Sequence, residues 1–157
     1  MKYIYIIIAL CFSFVIVAQK KKEVKKYHIK NLTVTETTNG KTIFDSKKTF
    51  NNSGEVVEEI NYGPDGTVKN SHKYKYNSNG DVIEDNEFDA KNVLSEKRIH
   101  KYNSLGEKIE ETVYNKDDKL IKKNVYTYDS KGLKSERKLY DSLNNLVSVK
   151  KYIYGYK

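Results

Sequence analysis

The sequence predicts an all-β fold, an antiparallel meander of about ten strands forming an open curled sheet or a partly closed barrel. Three observations carry that expectation. The nonapeptide YNSNGDVIE (76–84) returns as YNSLGEKIE (102–110), as YDSKGLKSE (128–136) and more loosely as FNNSGEVVE (50–58), a period of 26 residues. Each copy holds a corner opened by Asn or Asp and closed by Gly. Between corners run segments in which Tyr, Val, Ile and Thr are interleaved with charged residues, a composition that suits a pleated, half-buried surface. A period of this length marks a repeat architecture whose units stabilise one another.

The first set of corners reads NNSG (51–54), NSNG (77–80), NSLG (103–106) and DSKG (129–132). Asn or Asp suits the first position of a type I turn, and a following residue of positive φ converts that turn into a hairpin loop with a bulge. The second set reads GPDG (63–66), DAKN (89–92), NKDD (115–118) and DSLN (141–144), with TTNG (37–40) on the same grid. The turn residues are therefore Gly54, Gly66, Gly80, Asn92, Gly106, Asp118, Gly132 and Asn144. Pro64 lies in a turn, where it removes no ladder donor. Strands are expected at 26–36, 41–50, 55–62, 67–76, 81–88, 93–102, 107–114, 119–128, 133–140 and 145–156.

Carrying the turn register into the strands places Asn77 by Asp81 and Asp89 by Val93. It then sets Glu84 opposite Arg98, Asp85 opposite Lys97, Ile83 opposite Ile99, Glu111 opposite Lys123, Val113 opposite Ile121 and Glu136 opposite Lys150. On this register Phe88 meets Leu94, Tyr114 meets Leu120 and Tyr140 meets Leu146 on one face. Ile83, Ile99, Ile109, Val113, Ile121, Val125, Leu139 and Val147 share the other, which is expected to be the buried face. Lys119 and Lys123 on one face and Lys122 on the other leave no apolar belt, so a transmembrane barrel is not expected.

Three regions follow: a signal peptide (1–18), a basic leader (19–30) and the hairpin repeat domain (31–157). MKYIYIIIALCFSFVIVA has Lys2 before an apolar run broken by Ser13 and ends on the small Ala18, as a secretory signal does. A retained anchor is the alternative. Cys11, the only cysteine, follows Leu10 rather than a small residue, so no lipid anchor is expected there. Without the signal the chain has no thiol for disulfides, thiolate catalysis or cysteine metal sites. The formal charge is +8. The leader holds six lysines and one glutamate, so residues 31–157 carry 22 basic against 20 acidic residues. Lys20, Lys21, Lys22, Lys25 and Lys26 could touch an anionic surface; otherwise the leader is a solvated, frayed terminus.

Catalytic and metal chemistry find little footing. His100 stands in the column of Tyr74, Tyr126 and Tyr152, and no pair among His28, His72 and His100 has metal-ligand spacing. The loop NKDDK lacks the alternating ligands of a calcium site. Glu58, Glu84, Glu110 and Glu136 recur, as a cross-strand ladder requires and an active site does not. No glycine pattern forms a phosphate loop before a helix. No enzyme and no cofactor are expected. The candidate binding residues are Tyr74, Tyr76, Tyr102, Tyr126, Tyr128, Tyr152 and Tyr154, in rows on one face, a form suited to stacking on sugar rings or docking a protein.

YDSKG (128–132), with its variants YNSNG, YNSLG and FNNSG, resembles the marker of the YD-repeat (Rhs-like) proteins, a Tyr-Asp followed three residues later by Gly. The resemblance spans about residues 41–156 in about four units. It implies extracellular, noncatalytic β-structure that binds partners and glycans or, in long arrays, winds into a shell. The expected product is an exported, secreted or periplasmic and cell-surface binding or scaffolding module for a protein or glycan partner, without specific nucleic-acid recognition. Polyanion or membrane-surface attachment through the leader is the alternative.

Overall fold

A computed structural model describes residues 21–156. The expected signal peptide and Lys20 lie outside the described residues. Ten strands follow in order: β1 (Asn31–Thr38), β2 (Lys41–Phe50), β3 (Val56–Tyr62), β4 (Val68–Tyr76), β5 (Val82–Asp89), β6 (Leu94–Tyr102), β7 (Lys108–Asn115), β8 (Leu120–Tyr128), β9 (Lys134–Tyr140) and β10 (Leu146–Lys151). They form one antiparallel sheet in sequence order, so the expected meander is present and β1 and β10 are its edges. The sheet does not close into a barrel.

The eight expected turn residues all take positive φ, with the five glycines between 74° and 84° and Asn92, Asp118 and Asn144 between 56° and 64°. The opening Asn or Asp secures the corner with its own side chain. In the turn at 77–80, Asn77 Oδ1 accepts the amides of Asn79 and Asp81, each at 2.9 Å, while the Asn77 amide donates to the Asp81 carbonyl at 3.0 Å. The same two-amide clasp recurs at Asn51, Asp89, Asn103, Asn115, Asp129 and Asp141. The corner at 37–40 differs from the others. Asn39 and Gly40 both have positive φ, at 53° and 75°, and Thr38 pairs with Lys41, which is a two-residue type I′ hairpin.

The interior register departs from the expected one by one residue. Phe88 does meet Leu94, Tyr114 meets Leu120 and Tyr140 meets Leu146, but beyond each of these the ladder shifts. Glu84 pairs with Ile99 rather than Arg98, and Asp85 with Arg98 rather than Lys97. Glu111 pairs with Asn124, Val113 with Lys122, and Lys150 with Arg137 instead of Glu136. The cause is a second bulge near the start of every strand from β3 to β10, at Val57, Lys69, Ile83, Ser95, Ile109, Ile121, Ser135 and Val147. An extra residue on one strand slips the pairing and changes which side chains share a face.

The expected aliphatic face is therefore divided. Val113 pairs with Arg98, and Leu139 with Asn124, on one side of the sheet. Ile99 pairs with Thr112, and Val125 with Glu110, on the other. Neither side is a continuous aliphatic core. Burial among the described strand residues is confined to Val113 (1% exposed), Tyr126, Ser46, Ser71, Thr112 and Asn124, and only Val113 is fully buried. On the Ile99 side, lysines of the even strands lie over aromatic rings: Lys73 over Phe88 at 5.1 Å, Lys97 over Tyr114 at 5.3 Å and Lys123 over Tyr140 at 4.9 Å. Their aliphatic stems cover apolar surface while the ammonium groups meet the ring faces.

The leader is neither extended from residue 26 nor frayed. Residues 21–26 are helical. His28 at φ 51° closes the helix, with the Ile29 amide on the Val24 carbonyl at 3.0 Å and the His28 amide on Lys25 at 3.3 Å. Val24 is buried, and Lys21 Nζ reaches Glu55 Oε1 at 2.8 Å. The Phe50 amide donates to the Lys30 carbonyl at 2.9 Å, leading the chain into β1. An apolar contact and backbone hydrogen bonds thus hold a segment whose lysines suggested a solvated tail.

Candidate binding face

The even strands β4, β6 and β8 and the segment that follows β10 carry the candidate tyrosines at alternate positions, so they lie on the Val113 side. Four of them bond their phenols to the backbone of the preceding strand. Tyr76 donates to the Val56 carbonyl at 2.6 Å, Tyr102 to Val82 at 2.9 Å, Tyr128 to Lys108 at 2.8 Å and Tyr154 to Lys134 at 2.9 Å. Each acceptor is the residue just before a bulge, where the regular ladder is interrupted. Burial pushes the Tyr76 hydroxyl up to about 12, with Glu55 adding to the shift. Burial likewise raises Tyr102 and Tyr128, so these phenols remain donors.

One row inward stand Tyr74, His100, Tyr126 and Tyr152. Burial raises Tyr74 well above the ordinary phenol range, and the Tyr126 hydroxyl to about 12. The His72 ring stacks beside Tyr74 with centroids 6.0 Å apart. Burial, then the nearby Lys108 ammonium, hold the His100 imidazole below its usual range despite Glu111 at 3.6 Å. His100 thus fills the structural place expected of it in the tyrosine column.

Between β3 and β8 the same face carries a polar network that strand periodicity alone did not reveal. Asn61 donates to Asn70 at 3.0 Å and Asn70 to Glu87 at 3.2 Å. Arg98 pairs with Asp85 at 3.1 Å, with Glu87 at 3.5 Å and with Glu96. His72 Nδ1 lies 3.0 Å from Asp85. Lys108 reaches Glu111 at 2.9 Å, and Asn124 donates to Glu111 at 3.2 Å. Burial opposes ionisation of Glu111, yet Lys108 and His100 hold its carboxyl below the usual range. The available signal was the charge alternation of the strands, acidic in β3 and β5 against basic in β4 and β6.

At the turn end, Tyr102, His100, Ile83 and Ile109 border a shallow open depression of about 550 Å³ with Asn79 and Ser104. Among the described residues no group of three His, Cys, Asp or Glu is placed to hold a metal ion, and no helix is long and apolar enough to cross a membrane. In the leader Lys21 is tied to Glu55, whereas Lys22, Lys25 and Lys26 are exposed.

No family model matches the chain, and no curated protein matches it. Among solved structures it is similar to a protein of unknown function from Bacteroides fragilis, at 15% identity and TM-score 0.44, over 81% of this chain and 96% of that one. It is similar to a DUF3836 family protein from Bacteroides vulgatus at 17% identity and TM-score 0.31, over 75% of this chain and 98% of the other. A third similar structure is TarM, at 12% identity and TM-score 0.34, where 80% of this chain matches 22% of that protein.

Proposed function

We propose that this chain is an exported, noncatalytic repeat protein of YD-like character that works as a binding or scaffolding module through its tyrosine-bearing face. The observation that carries the reading is the column order: one sheet face presents the same tyrosine positions at β4, β6, β8 and just beyond β10, with polar contacts shared along it rather than gathered at one point. A regular array of equivalent positions suits an extended ligand or a partner surface. The partner is a protein or glycan at the cell surface or in the periplasm. Glycan arrays and crosslinking in the secreted fraction test the idea with the full chain. Binding weakened by Tyr154→Ser or Tyr152→Ser supports it; substrate turnover without any bound partner rejects it.

The leader supports a second reading, attachment to an anionic surface, because Lys22, Lys25 and Lys26 are exposed on a helix anchored by Val24. Replacing those three by Gln should abolish binding to anionic vesicles. Unchanged binding removes the idea.

A further inference from the structure

Charge on this chain is unevenly placed. Residues 31–118 hold 12 basic and 17 acidic residues, whereas 119–157 hold 10 basic and 3 acidic. The three acids of the second part are otherwise engaged. Asp129 and Asp141 clasp their own turns, and Glu136 lies on the Ile99 side with Lys138 at 3.2 Å. The register places Lys122, Lys134, Arg137 and Lys150 on the tyrosine-bearing side of β8 to β10, and the described strands there contribute no carboxylate.

Arg98 and Arg137 show the contrast. Arg98 on β6 is met by Asp85, Glu87 and Glu96. Arg137 on β9 makes no ion pair within the described residues, and its buried Nε has no hydrogen-bond partner. Lys134 Nζ lies 4.4 Å from the Tyr126 ring and 5.9 Å from the Tyr152 ring, and Lys150 lies 5.4 Å from Tyr152. The rings hold these cations in place without neutralising them. No carboxylate of the described strands on this face meets the Arg137 charge, which leaves it to an anion from outside.

We propose that the β8–β10 part of this face binds a linear acidic polysaccharide, its carboxylate or sulfate groups meeting Arg137, Lys134 and Lys150. The inference rests on the binding-module reading and specifies its ligand class. Tyr126 on β8 lies across β9 from Lys150, and Tyr152 two residues further on, so with strands about 4.8 Å apart and about 3.3 Å per residue the two tyrosines stand about 12 Å apart along the sheet, on the order of the length of a disaccharide. Single-stranded nucleic acid draws much of its affinity from bases stacking on free rings. Here Tyr126 is buried and Lys134 lies over both rings, which favours a polymer with charge but no bases.

The test is binding of the full chain to polygalacturonate, chondroitin sulfate, neutral dextran and poly(dT), each over a range of salt concentrations. Two triple variants carry the same change in charge: Lys134→Gln/Arg137→Gln/Lys150→Gln on this face, and Lys123→Gln/Lys138→Gln/Lys151→Gln on the opposite one. The inference expects salt-sensitive binding of the acidic polysaccharides over dextran, reduced on the order of tenfold or more by the first triple and little by the second. Lys150→Gln alone, at an exposed edge position, gives the same direction should the triple fold poorly. Equal losses in both triples, tighter binding of poly(dT), or no polyanion binding at low salt would overturn it. A neutral glycan or protein partner retained by the first triple leaves the broader module standing while this inference fails.

Discussion

The Tyr102 hydroxyl donates to the Val82 carbonyl at 2.9 Å, from the end of β6 to the bulged start of β5. The same bond at β4, at β8 and from Tyr154 just beyond β10 makes it a device of the repeat. Tyr102→Phe keeps the ring and leaves a carbonyl without its donor, so a loss of about 1 kcal/mol is expected. Urea titration should show a lower midpoint at unchanged slope. An unmoved midpoint would show that the phenol contributes nothing.

Asn77 Oδ1 closes two backbone amides at once. Asn77→Ala opens both and should cost about 1 to 2 kcal/mol, whereas Ser78→Ala, with no such contact, should be nearly silent. Thermal melts that coincide for the two variants would remove the clasp from the account of the turns.

Gly54 and Gly66 share positive φ but not surroundings. A Cβ on Gly54 would lie 2.7 Å from the Lys21 carbonyl, while one on Gly66 meets nothing within 4 Å. Gly66→Ala should cost only the conformational term, about 1 to 2 kcal/mol. Gly54→Ala should add about 1 to 3 kcal/mol of crowding and loosen the helix at 21–26, visible as faster amide exchange at Ile29 and Phe50.

Arg98 gathers three carboxylates. Arg98→Gln removes the cation from among them and should destabilise the sheet by about 1 to 2 kcal/mol at neutral pH, a value reduced by partial exposure. The deficit should shrink as added salt screens the repulsion among the carboxylates left behind. A deficit that stays constant with salt would exclude charge repulsion as its cause.

His100 has a folded-state affinity for protons below the ordinary one, because burial and Lys108 oppose its charge. The unfolded chain therefore protonates first, so its contribution is fully present above about pH 6.5 and is lost as pH falls towards the folded value. Glu111, lowered in the fold, adds a further loss at more acid pH. His100→Tyr, which restores the residue of its column, should flatten the upper part of that slope and leave the lower part. Stability curves of parallel slope would contradict this.

Strands and corners were legible because their signals are chemical: Gly54, Gly80, Asn92 and Asp118 tolerate positive φ, and Asn77 or Asp89 can clasp a turn. The second bulge was not legible. It falls on Val57, Lys69, Ile83, Ser95 and their counterparts, residues without positive φ and with no shared chemistry. Missing it shifted every interior pair by one and joined Ile99 to Val113, which the sheet places on opposite sides. The tyrosine rows were legible from their spacing of two, since the bulge of each even strand lies at its start and none intervenes between the tyrosines. Their partners were not, since the Val82 and Lys108 carbonyls become acceptors only where the bulge interrupts the ladder. The docked leader was hidden because its attachment rests on one buried valine among six lysines and on backbone hydrogen bonds that composition does not show.

Each strand of this sheet hydrogen-bonds only to those before and after it in the chain. Length is consequently a free variable for such a molecule. Duplicating or deleting 26 residues within β3 to β8 would splice one hairpin in or out, leaving the leader helix at its own end and the cationic strands at theirs. Evolution can thus change the reach between the two termini without redesigning either.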